Sequence, residues 1–366
     1  MKISIIAGAR PNFMKIAPII REIKKHKSLE YFLVHTGQHY DFQMSDAFFK
    51  DLEIPKPDYF LNAGSGSHAK QTAAVMISFE EVCIQENPDI VLVVGDVNST
   101  MAAAVVAKKL GIKVAHVEAG LRSFDMSMPE EINRMVTDSI SDYFFTTEKA
   151  AGINLLKEGK LKDSIFFVGH VMIDNLLYQK EKISDIKTFE ADYFKKENNK
   201  YFFLTLHRPS NVDDEDTLNN IFEALNEIAE DIPFIYPVHP RTRKKIDEFN
   251  IKISENIFQV SPLGFKESLY LWKDSRGVFT DSGGLQEETT GLGIPCFTLR
   301  DNTERPVTID EGTNILVGNK KDNILKAYND FKKGIIKPGK IPELWDGKAS
   351  QRIVEVLLSP DKKTAI

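Results

Sequence analysis

Short apolar runs that alternate with helical patterns constrain the fold of this chain more than any other feature. The strand-like runs Ile3–Ala7 and Ile90–Val94 each lead into a stretch with helical periodicity, and strand-like runs recur at Tyr31–His35 and Val114–Val117. These runs are apolar throughout rather than alternating, as expected for parallel strands whose sheet is covered on both faces. The pattern predicts a doubly wound parallel α/β sheet.

A charged stretch interrupts this pattern near the middle of the chain. Between about Glu181 and Lys200 aliphatic residues become sparse, and the alternation resumes at Tyr201–Leu206. A chain of 366 residues is also too long for one ordinary core. We therefore predict an α/β fold with two Rossmann-like, doubly wound parallel-sheet domains facing a cleft, with boundaries at 1–170 and 171–347.

Composition and charge exclude several classes of protein. The net charge is −6 and the isoelectric point about 5.8, so we expect no nucleic-acid partner and no membrane partner. The short apolar N-terminus lacks the basic start and cleavage site of a signal peptide. Cys83 and Cys296 lie far apart in apolar segments, which does not indicate a disulfide framework. These features predict a soluble, cytoplasmic protein.

The loop after the first strand, Gly8–Lys15, carries two basic residues where a helix is expected to begin. Arg10 and Lys15 oppose the helix dipole there unless an anion lies between them, so the loop is a candidate anion site. The alternative is a solvated turn with surface charges. The loop is neither a dinucleotide fingerprint nor a Walker loop, so we predict neither NAD nor ATP and no other cofactor.

Three carboxylates of the first half, those of Asp96, Glu118 and Glu130, lie at the end of an apolar strand or at the start of a predicted helix. Asp96 comes after Ile90–Val94, although by itself it is better explained as the cap of the next helix. Glu118 ends an apolar strand, where burial is costly unless the carboxylate is paired, and an ion pair with Arg122 is the structural alternative.

The third carboxylate, Glu130, lies in the segment Met128–Arg134. Proline followed by two acids is itself a good helix start, but Glu130 and Arg134 also share one helical face. Together with Asp96 and Glu118, Glu130 would place three carboxylates at the mouth of one sheet. Clustered carboxylates raise one another's pKa, which separates acid and base roles near neutral pH.

The second half places histidines and a glycine-rich helix start after its strands. His207, followed by Arg208, is a candidate acid/base or phosphate ligand, and the loop of His239 is a weaker one. Glu288 is expected near a ribose, and Arg305 near phosphates. The backbone of three residues at the helix start is suited to a diphosphate, although a helix start without ligand is the alternative: Ser282, Gly283 and Gly284. No histidine or cysteine cluster has metal-ligand spacing.

Nine segments of the chain, taken in order, resemble the non-hydrolysing UDP-N-acetylglucosamine 2-epimerases. These segments are GARPNFMKIAPI, TGQHYDFQMS, VGDVNSTMAA, HVEAGLRS, PEEINR, LHR, PVHP, TDSGGLQEE and RDNTERP. The resemblance implies a GT-B-like fold with the active site between the domains, and a C-terminal helix, 348–366, that returns to the first domain. It further implies a homodimer and a place in polysaccharide biosynthesis.

The resemblance also implies the reaction, a reversible inversion at C2 of the sugar through elimination and re-addition of UDP. The implied catalytic residues are Asp96, Glu118, Glu130 and His207. The implied substrate-binding residues are Arg10, Lys15, Arg134, Ser282, Gly283, Gly284, Glu288 and Arg305. The base that takes the C2 proton is not assigned among the carboxylates.

Some members of the family bind a second UDP-sugar as an activator. By this resemblance Gln38 and His39 match part of that site, whereas Lys70 stands where arginine is expected. Further candidates for the site are Gln71, Arg208 and His239. The chain departs from the commonest pattern at several other positions. Among these, Asn12 and Phe13 could admit a 2,3-diacetamido uronic acid.

Three other functions are alternatives. A hydrolysing 2-epimerase shares the elimination, but the first loop is closer to the non-hydrolysing pattern. A GT-B glycosyltransferase would need one base rather than three carboxylates. A sugar-nucleotide sensor could dispense with Asp96, Glu118 and Glu130.

Overall fold

The computed structural model describes residues 1–37, 49, 52–183, 190–335 and 339–359. The chain divides into two compact units, one formed by Met1–Asn175 with Glu343–Ile366 and the other by Leu176–Pro342. Each unit contains a parallel sheet, of seven strands in unit 1 and six in unit 2. The prediction of two doubly wound parallel-sheet domains is confirmed.

Unit 1 is built on a sheet with the strand order β3-β2-β1-β4-β5-β6-β7. Its strands are Lys2–Ala7 (β1), Glu30–His35 (β2), Tyr59–Phe60 (β3), Ile90–Val94 (β4), Lys113–Val117 (β5), Tyr143–Thr146 (β6) and Ile165–Phe167 (β7). Its helices are Arg10–Ile23 (α1), His68–Glu86 (α2), Asn98–Lys109 (α3), Pro129–Ile140 (α4) and Lys149–Lys157 (α5), with a 3-10 turn at Lys162–Ser164. The order reverses between β1 and β4, which creates a crevice at the carboxyl ends of these strands.

The next helix, Val171–Lys182 (α6), contains the division between the units, and the chain returns to unit 1 near its C-terminus. There the helix Ala349–Leu358 (α15 in chain order) packs against α1. Asp174 accepts hydrogen bonds from the backbone N–H groups of Ala349 (3.0 Å) and Ser350 (2.7 Å). A buried carboxylate thus satisfies the first donors of the helix and fixes its start.

Unit 2 repeats the architecture with the strand order β10-β9-β8-β11-β12-β13. Its strands are Phe202–Thr205 (β8), Phe234–Pro237 (β9), Ile257–Val260 (β10), Gly277–Thr280 (β11), Cys296–Thr298 (β12) and Asn314–Leu316 (β13). Its helices are Glu190–Glu197 (α7), Pro209–Val212 (α8), Glu215–Ala229 (α9), Pro240–Glu248 (α10), Phe265–Trp272 (α11), Gly283–Leu292 (α12), Pro306–Asp310 (α13) and Lys321–Lys332 (α14).

Aromatic side chains fill the core of unit 2. Phe202, Phe279 and Phe297 are fully buried on adjacent strands. The rings of Phe279 and Phe297 stack with their centroids 4.5 Å apart, and Phe202 meets Phe279 edge-on at 5.2 Å. Offset and edge-on contacts of this kind add stability beyond the area that the rings bury.

The charged stretch before β8 contains helix α7. Phe194 is buried and stacks on Phe258 of β10, with ring centroids 5.2 Å apart. Lys195 of the same helix lies 2.5 Å from Asp274, so an aromatic contact and an ion pair both hold this charged helix on unit 2. Within the described ranges, no helix combines the length and the apolar character needed to cross a membrane.

Candidate active site

The loops that follow β1, β4 and β5 meet at the carboxyl edge of the unit 1 sheet. Gly95 N donates to the carbonyl of Val117 at 3.0 Å, which joins the loops after β4 and β5. In the loop after β1, Asn12 Nδ2 donates to the carbonyl of Val94 at 3.1 Å. Because β1, β4 and β5 are neighbours in a parallel sheet, residues remote in sequence meet at this edge.

Glu118 and Lys15 form a buried ion pair at this edge. Lys15 Nζ lies 2.5 Å from Glu118 Oε2, and both side chains are buried. The other carboxylate oxygen of Glu118, Oε1, is buried and has no hydrogen-bond partner in the described part of the chain. Glu118 also has a φ of 69°, a left-handed conformation that is costly for a residue other than glycine.

The alternative explanation of Glu118, an ion pair with Arg122, is wrong. Arg122 instead lies 2.8 Å from Asp138 Oδ2 and 2.7 Å from Glu158 Oε2. Arg122 is thus fully engaged by two other carboxylates. Lys15 provides the compensating charge that a buried Glu118 requires.

Asp96 pairs with Arg134 and does not cap helix α3. The N-cap residue of α3 is Val97, and no side chain caps that helix. Arg134 Nη1 donates to Asp96 Oδ2 in a short contact. The capping interpretation of Asp96 is therefore wrong, and its carboxylate is held by a cation from helix α4.

Arg134 has Glu131 as its second carboxylate partner, rather than Glu130. Glu131 Oε2 lies 2.7 Å from Arg134 Nη2, and the Glu131 carboxylate also accepts the N–H groups of Ser123 and Phe124 at 3.0 Å each. Burial opposes ionisation of Glu131, but these donors outweigh it and lower its pKa. Glu130 is exposed. The sequence analysis missed Glu131, whose only signal was its place beside Glu130.

The loop after β1 is organised by Asn12. Its Oδ1 accepts the backbone N–H groups of Gly8 (3.1 Å) and Ala9 (2.9 Å), and its Nδ2 binds Val94, so both ends of the amide are used. Arg10, at the start of α1, is exposed. The structure thus brings Lys15 to Glu118 and leaves Arg10 at the surface of the loop.

His116 and Asp138 form a fully buried pair behind these loops, named here the unit 1 pair. His116 Nδ1 lies 2.7 Å from Asp138 Oδ1, and His116 Nε2 lies 2.9 Å from the Gly95 carbonyl. Asp138 Oδ2 also accepts the N–H of Gly120 at 3.0 Å. Burial opposes ionisation of Asp138, but His116 and Arg122 lower its pKa below the usual value. The pair therefore fixes Gly95, which precedes Asp96, and Gly120, which lies two positions after Glu118.

Unit 2 presents the helix start predicted for a diphosphate. Ser282 is the N-cap residue of α12, and its side chain makes no capping hydrogen bond. A helix whose first N–H groups lack a capping side chain is suited to an anion. Gln286 Oε1 accepts from Thr303 Oγ1 (2.6 Å) and Asn314 Nδ2 (3.1 Å), which ties α12 to the loop that carries Arg305.

Two adjacent glutamates of α12 differ in their surroundings. Glu287 Oε1 pairs with Arg305 Nε at 2.5 Å. Glu288 is buried, and burial together with the charge of Glu287 raises its pKa to about 8. A pKa above neutral favours the protonated form of Glu288, and a protonated carboxyl can both donate and accept a hydrogen bond.

His207 and Asp281, named here the unit 2 pair, join the loop after β8 to the loop after β11. His207 Nδ1 lies 3.0 Å from Asp281 Oδ1. Asp281 is fully buried and also accepts the N–H groups of His207 (3.0 Å) and Arg208 (2.9 Å). Burial opposes ionisation of Asp281, but His207 and these N–H groups hold its pKa below the usual value. Asp281 was not among the residues singled out from the sequence.

The residues predicted for an activator site lie in several places. Gln71 is in unit 1, where its Oε1 accepts from Asn98 Nδ2 at 2.7 Å. In unit 2, His239 is the N-cap of α10 and its ring lies 5.9 Å from that of His207. Burial, followed by the charge of His207, lowers the pKa of His239. Gln38 and His39 lie outside the described residues.

A cavity of about 300 Å³ opens beside α10 in unit 2. Its lining residues are Val238, Pro240, Arg243, Gln259, Val260, Ser261 and Pro262. The cavity lies at the carboxyl ends of β9 and β10, and β9 is the neighbour of β8, the strand that precedes the His207 loop. In the part of the chain that the structure describes, no group of three or more histidine, cysteine or acidic side chains is arranged to hold a metal ion.

Comparison with known proteins identifies the family. A sequence profile described as UDP-N-acetylglucosamine 2-epimerase matches residues 21–358. A UDP-N-acetylglucosamine 2-epimerase of Methanocaldococcus jannaschii is 46% identical, with 98% of this chain and 99% of that protein covered. A crystal structure of the M. jannaschii enzyme in complex with UDP-GlcNAc and UDP matches with a TM-score of 0.84 and 44% identity, and covers 98% of this chain and 99% of that chain.

A relative with a different substrate name is also similar. The UDP-2,3-diacetamido-2,3-dideoxy-D-glucuronate 2-epimerase of Pseudomonas aeruginosa is 42% identical, with 98% of this chain and 99% of that protein covered. The matches extend over nearly the whole chain and confirm the resemblance inferred from the nine sequence segments. The chain belongs to the UDP-N-acetylglucosamine 2-epimerase family of enzymes.

Proposed function

We propose that this chain interconverts UDP-N-acetylglucosamine and UDP-N-acetylmannosamine without net hydrolysis. The observation that carries the proposal is the state of Glu118. One of its carboxylate oxygens lies 2.5 Å from Lys15, whereas the other is buried without a partner among the described residues. An acceptor of this kind is costly unless a ligand completes it, and the left-handed backbone of Glu118 is the strain expected at a functional position.

We propose that the reaction proceeds by elimination and re-addition. A base removes the proton from C2, the bond from C1 to the diphosphate oxygen breaks, and UDP leaves as a 2-acetamidoglucal forms. Return of a proton to the opposite face of C2 and of UDP to C1 gives the epimer. Asp96, Glu118 and Glu130 are the candidate acids and bases, with His207 as a further participant.

The charged partners of these carboxylates differ. Glu118 faces Lys15, and Asp96 faces Arg134, whereas Glu130 is exposed at the start of α4. The three groups therefore have different surroundings, and a mechanism with a separate acid and base needs groups that are not equivalent.

We propose that the UDP moiety is bound chiefly by the start of α12 and the loops around it. The backbone N–H groups of Ser282, Gly283 and Gly284 are suited to the diphosphate, since no side chain caps this helix. Arg10 and Arg305 supply positive charge. Glu288 is suited to ribose hydroxyls, since its protonated carboxyl offers both a donor and an acceptor.

Two observations favour N-acetylglucosamine as the sugar. The M. jannaschii relative named for that substrate is 46% identical to this chain, whereas the diacetamido-glucuronate relative is 42% identical. Asn12, which could have admitted a further substituent, uses both ends of its amide within its own loop. Phe13 is buried against His35, with ring centroids 5.0 Å apart.

Four further properties of this chain are proposed from its family. They are a homodimer, a cytoplasmic location, a role in polysaccharide biosynthesis and activation by a second UDP-sugar near Gln71, Arg208 and His239. The homodimer is supported by Ile77 and Ile84 on α2, which are each 67% exposed and seven positions apart on one helical face. Sedimentation of the purified chain tests this expectation.

The proposed reaction is tested by following UDP-N-acetylglucosamine in deuterated water by NMR. We expect UDP-N-acetylmannosamine with deuterium at C2 and little free sugar. Accumulation of free N-acetylmannosamine with UDP would instead indicate a hydrolysing enzyme. Turnover only of the 2,3-diacetamido glucuronate nucleotide, offered in parallel, would reassign the substrate, and the Glu118→Gln variant serves as the inactive control.

A further inference from the structure

We infer that Asp281 is the positioning residue for His207, and that it fixes the ring so that Nε2 is the atom presented to the substrate. The inference rests on the proposed function and deepens it, because it assigns a task to a residue outside the proposed catalytic and binding sets.

The hydrogen bonds of Asp281 fix the orientation of its carboxylate. Its Oδ2 accepts the N–H groups of His207 (3.0 Å) and Arg208 (2.9 Å), and Asn211 Nδ2 lies 3.4 Å away. Its Oδ1 lies 3.0 Å from His207 Nδ1. A fully buried, ionised carboxylate only accepts hydrogen bonds, so His207 Nδ1 must carry a proton.

The other ring nitrogen of His207, Nε2, lies in a different environment. The side chain is 39% exposed, and in the described ranges no residue forms a hydrogen bond with Nε2. With Nδ1 protonated, Nε2 of the neutral ring is an acceptor, and in the charged ring it is a donor. Both forms are those of a general acid/base whose orientation is set by a third group.

The groups that face His207 support this role. Asp281 comes from the loop after β11, and His239 comes from the loop after β9. Arg208 follows His207 itself in the loop after β8. Asp281 is the only carboxylate in a described hydrogen bond or ion pair with the ring, and His239 lies 5.9 Å from it between ring centroids. A charge that develops on His207 is therefore compensated chiefly by Asp281.

The Asp281→Asn variant tests the inference, with His207→Gln and the double variant completing a cycle. The amide keeps an acceptor for the backbone N–H groups but presents N–H to His207 Nδ1, which then becomes an acceptor. We expect kcat to fall by about 10²-fold or more with KM little changed. In the His207→Gln background, the Asp281→Asn change should have little further effect, because Asp281 acts through His207.

Two kinetic outcomes would overturn the inference. One is an equal, additive loss of kcat from Asp281→Asn in both backgrounds. The other is a rise of KM with unchanged kcat, which would indicate that the loop serves ground-state binding alone. Thermal unfolding of each variant shows which losses come from misfolding.

A second measurement needs no substrate and so separates this inference from the proposed function. Nitrogen-15 NMR of histidine-labelled protein, with His207→Gln to assign the resonances, reports which ring nitrogen carries the proton. We expect a protonated Nδ1 in the unaltered chain and the opposite tautomer in Asp281→Asn. An unprotonated Nδ1 in the unaltered chain would refute the positioning role, even in a protein that epimerises its substrate.

Discussion

The unit 1 pair and the unit 2 pair are chemically alike, yet their surroundings suit them to different tasks. In both, a buried aspartate lies within hydrogen-bond distance of a histidine Nδ1, at 2.7 Å for His116 and 3.0 Å for His207. His116 is fully buried and its Nε2 meets the Gly95 carbonyl, whereas the side chain of His207 is 39% exposed. An imidazole with both nitrogens engaged holds loops together, while one with a free nitrogen can exchange protons.

The same contrast applies to the carboxylates of unit 1. Glu131 and Asp138 are buried and satisfied by several donors, which suits them to fixing the loops around them. Glu118 is equally buried but has one oxygen without a described partner, and Glu130 is exposed. Unsatisfied or accessible carboxylate oxygens thus distinguish the candidate catalytic groups from the structural ones.

The largest expected effect is on activity, from His207→Gln. We expect kcat for epimerisation to fall by about 10²- to 10⁴-fold, because general acid–base catalysis contributes that much. The free energy of unfolding should fall by about 1–3 kcal/mol, because the buried Asp281 carboxylate loses its hydrogen bond to His207 Nδ1. Retention of the full rate would remove His207 from the proposed chemistry.

Asp138→Ala should have the opposite profile, with its main effect on stability. It removes the hydrogen-bond partner of His116 Nδ1 and one of the two carboxylates that hold Arg122, and breaking a buried pair in this way costs about 3–5 kcal/mol. Urea unfolding measures the loss. A change below about 1 kcal/mol would show that the unit 1 pair is not the structural counterpart of the unit 2 pair.

Glu288→Gln should change the pH dependence of stability. The pKa of Glu288 is about 8 in the folded chain against an ordinary 4.5, so the folded state binds more protons between these values. Its contribution to the free energy of unfolding therefore falls as pH rises through this window, by a few kcal/mol at about 1.4 kcal/mol per pH unit. The variant should lose this slope in melting temperature, and an unchanged slope would place the titration elsewhere.

The smallest expected effects are on stability, and they distinguish the neighbouring residues Glu131 and Glu130. Glu131→Gln should lower the free energy of unfolding by about 1–3 kcal/mol, because it weakens the bonds to Ser123, Phe124 and Arg134. Glu130→Gln should change it by no more than about 0.5 kcal/mol, since the side chain is exposed. Equal losses of stability from the two variants would contradict the assignment of Glu131 as the buried partner of Arg134.

Much of the fold follows from local pattern. Runs such as Ile90–Val94 are apolar throughout, and the structure buries every residue of that strand between two layers of helices. Shorter elements lacked such a signal. The two-residue strand Tyr59–Phe60 and the helix Glu190–Glu197 depend on tertiary contacts, the latter on the stacking of Phe194 against Phe258.

The site could be predicted only as a set of loops. Asp96 and Glu118 were found because polar residues after apolar strands are conspicuous, and both lie at the same sheet edge, whereas Glu130 was found at a predicted helix start. Their partners were not predictable, because Lys15 pairs with a residue 103 positions away and Arg134 with one 38 positions away. Sequence spacing favours local partners, as in the incorrect Glu118–Arg122 pair, whereas the sheet order brings distant residues together.

The reaction of 2-acetamidoglucal and UDP with the enzyme tests the proposed elimination and re-addition most directly. Because elimination is reversible in this account, the two compounds should combine in deuterated water to give both UDP-N-acetylglucosamine and UDP-N-acetylmannosamine with deuterium at C2. The Glu118→Gln variant should give neither product. If the enzyme exchanges the C2 proton of UDP-N-acetylglucosamine but never joins the glycal to UDP, the epimerisation does not pass through loss of UDP and the account is contradicted.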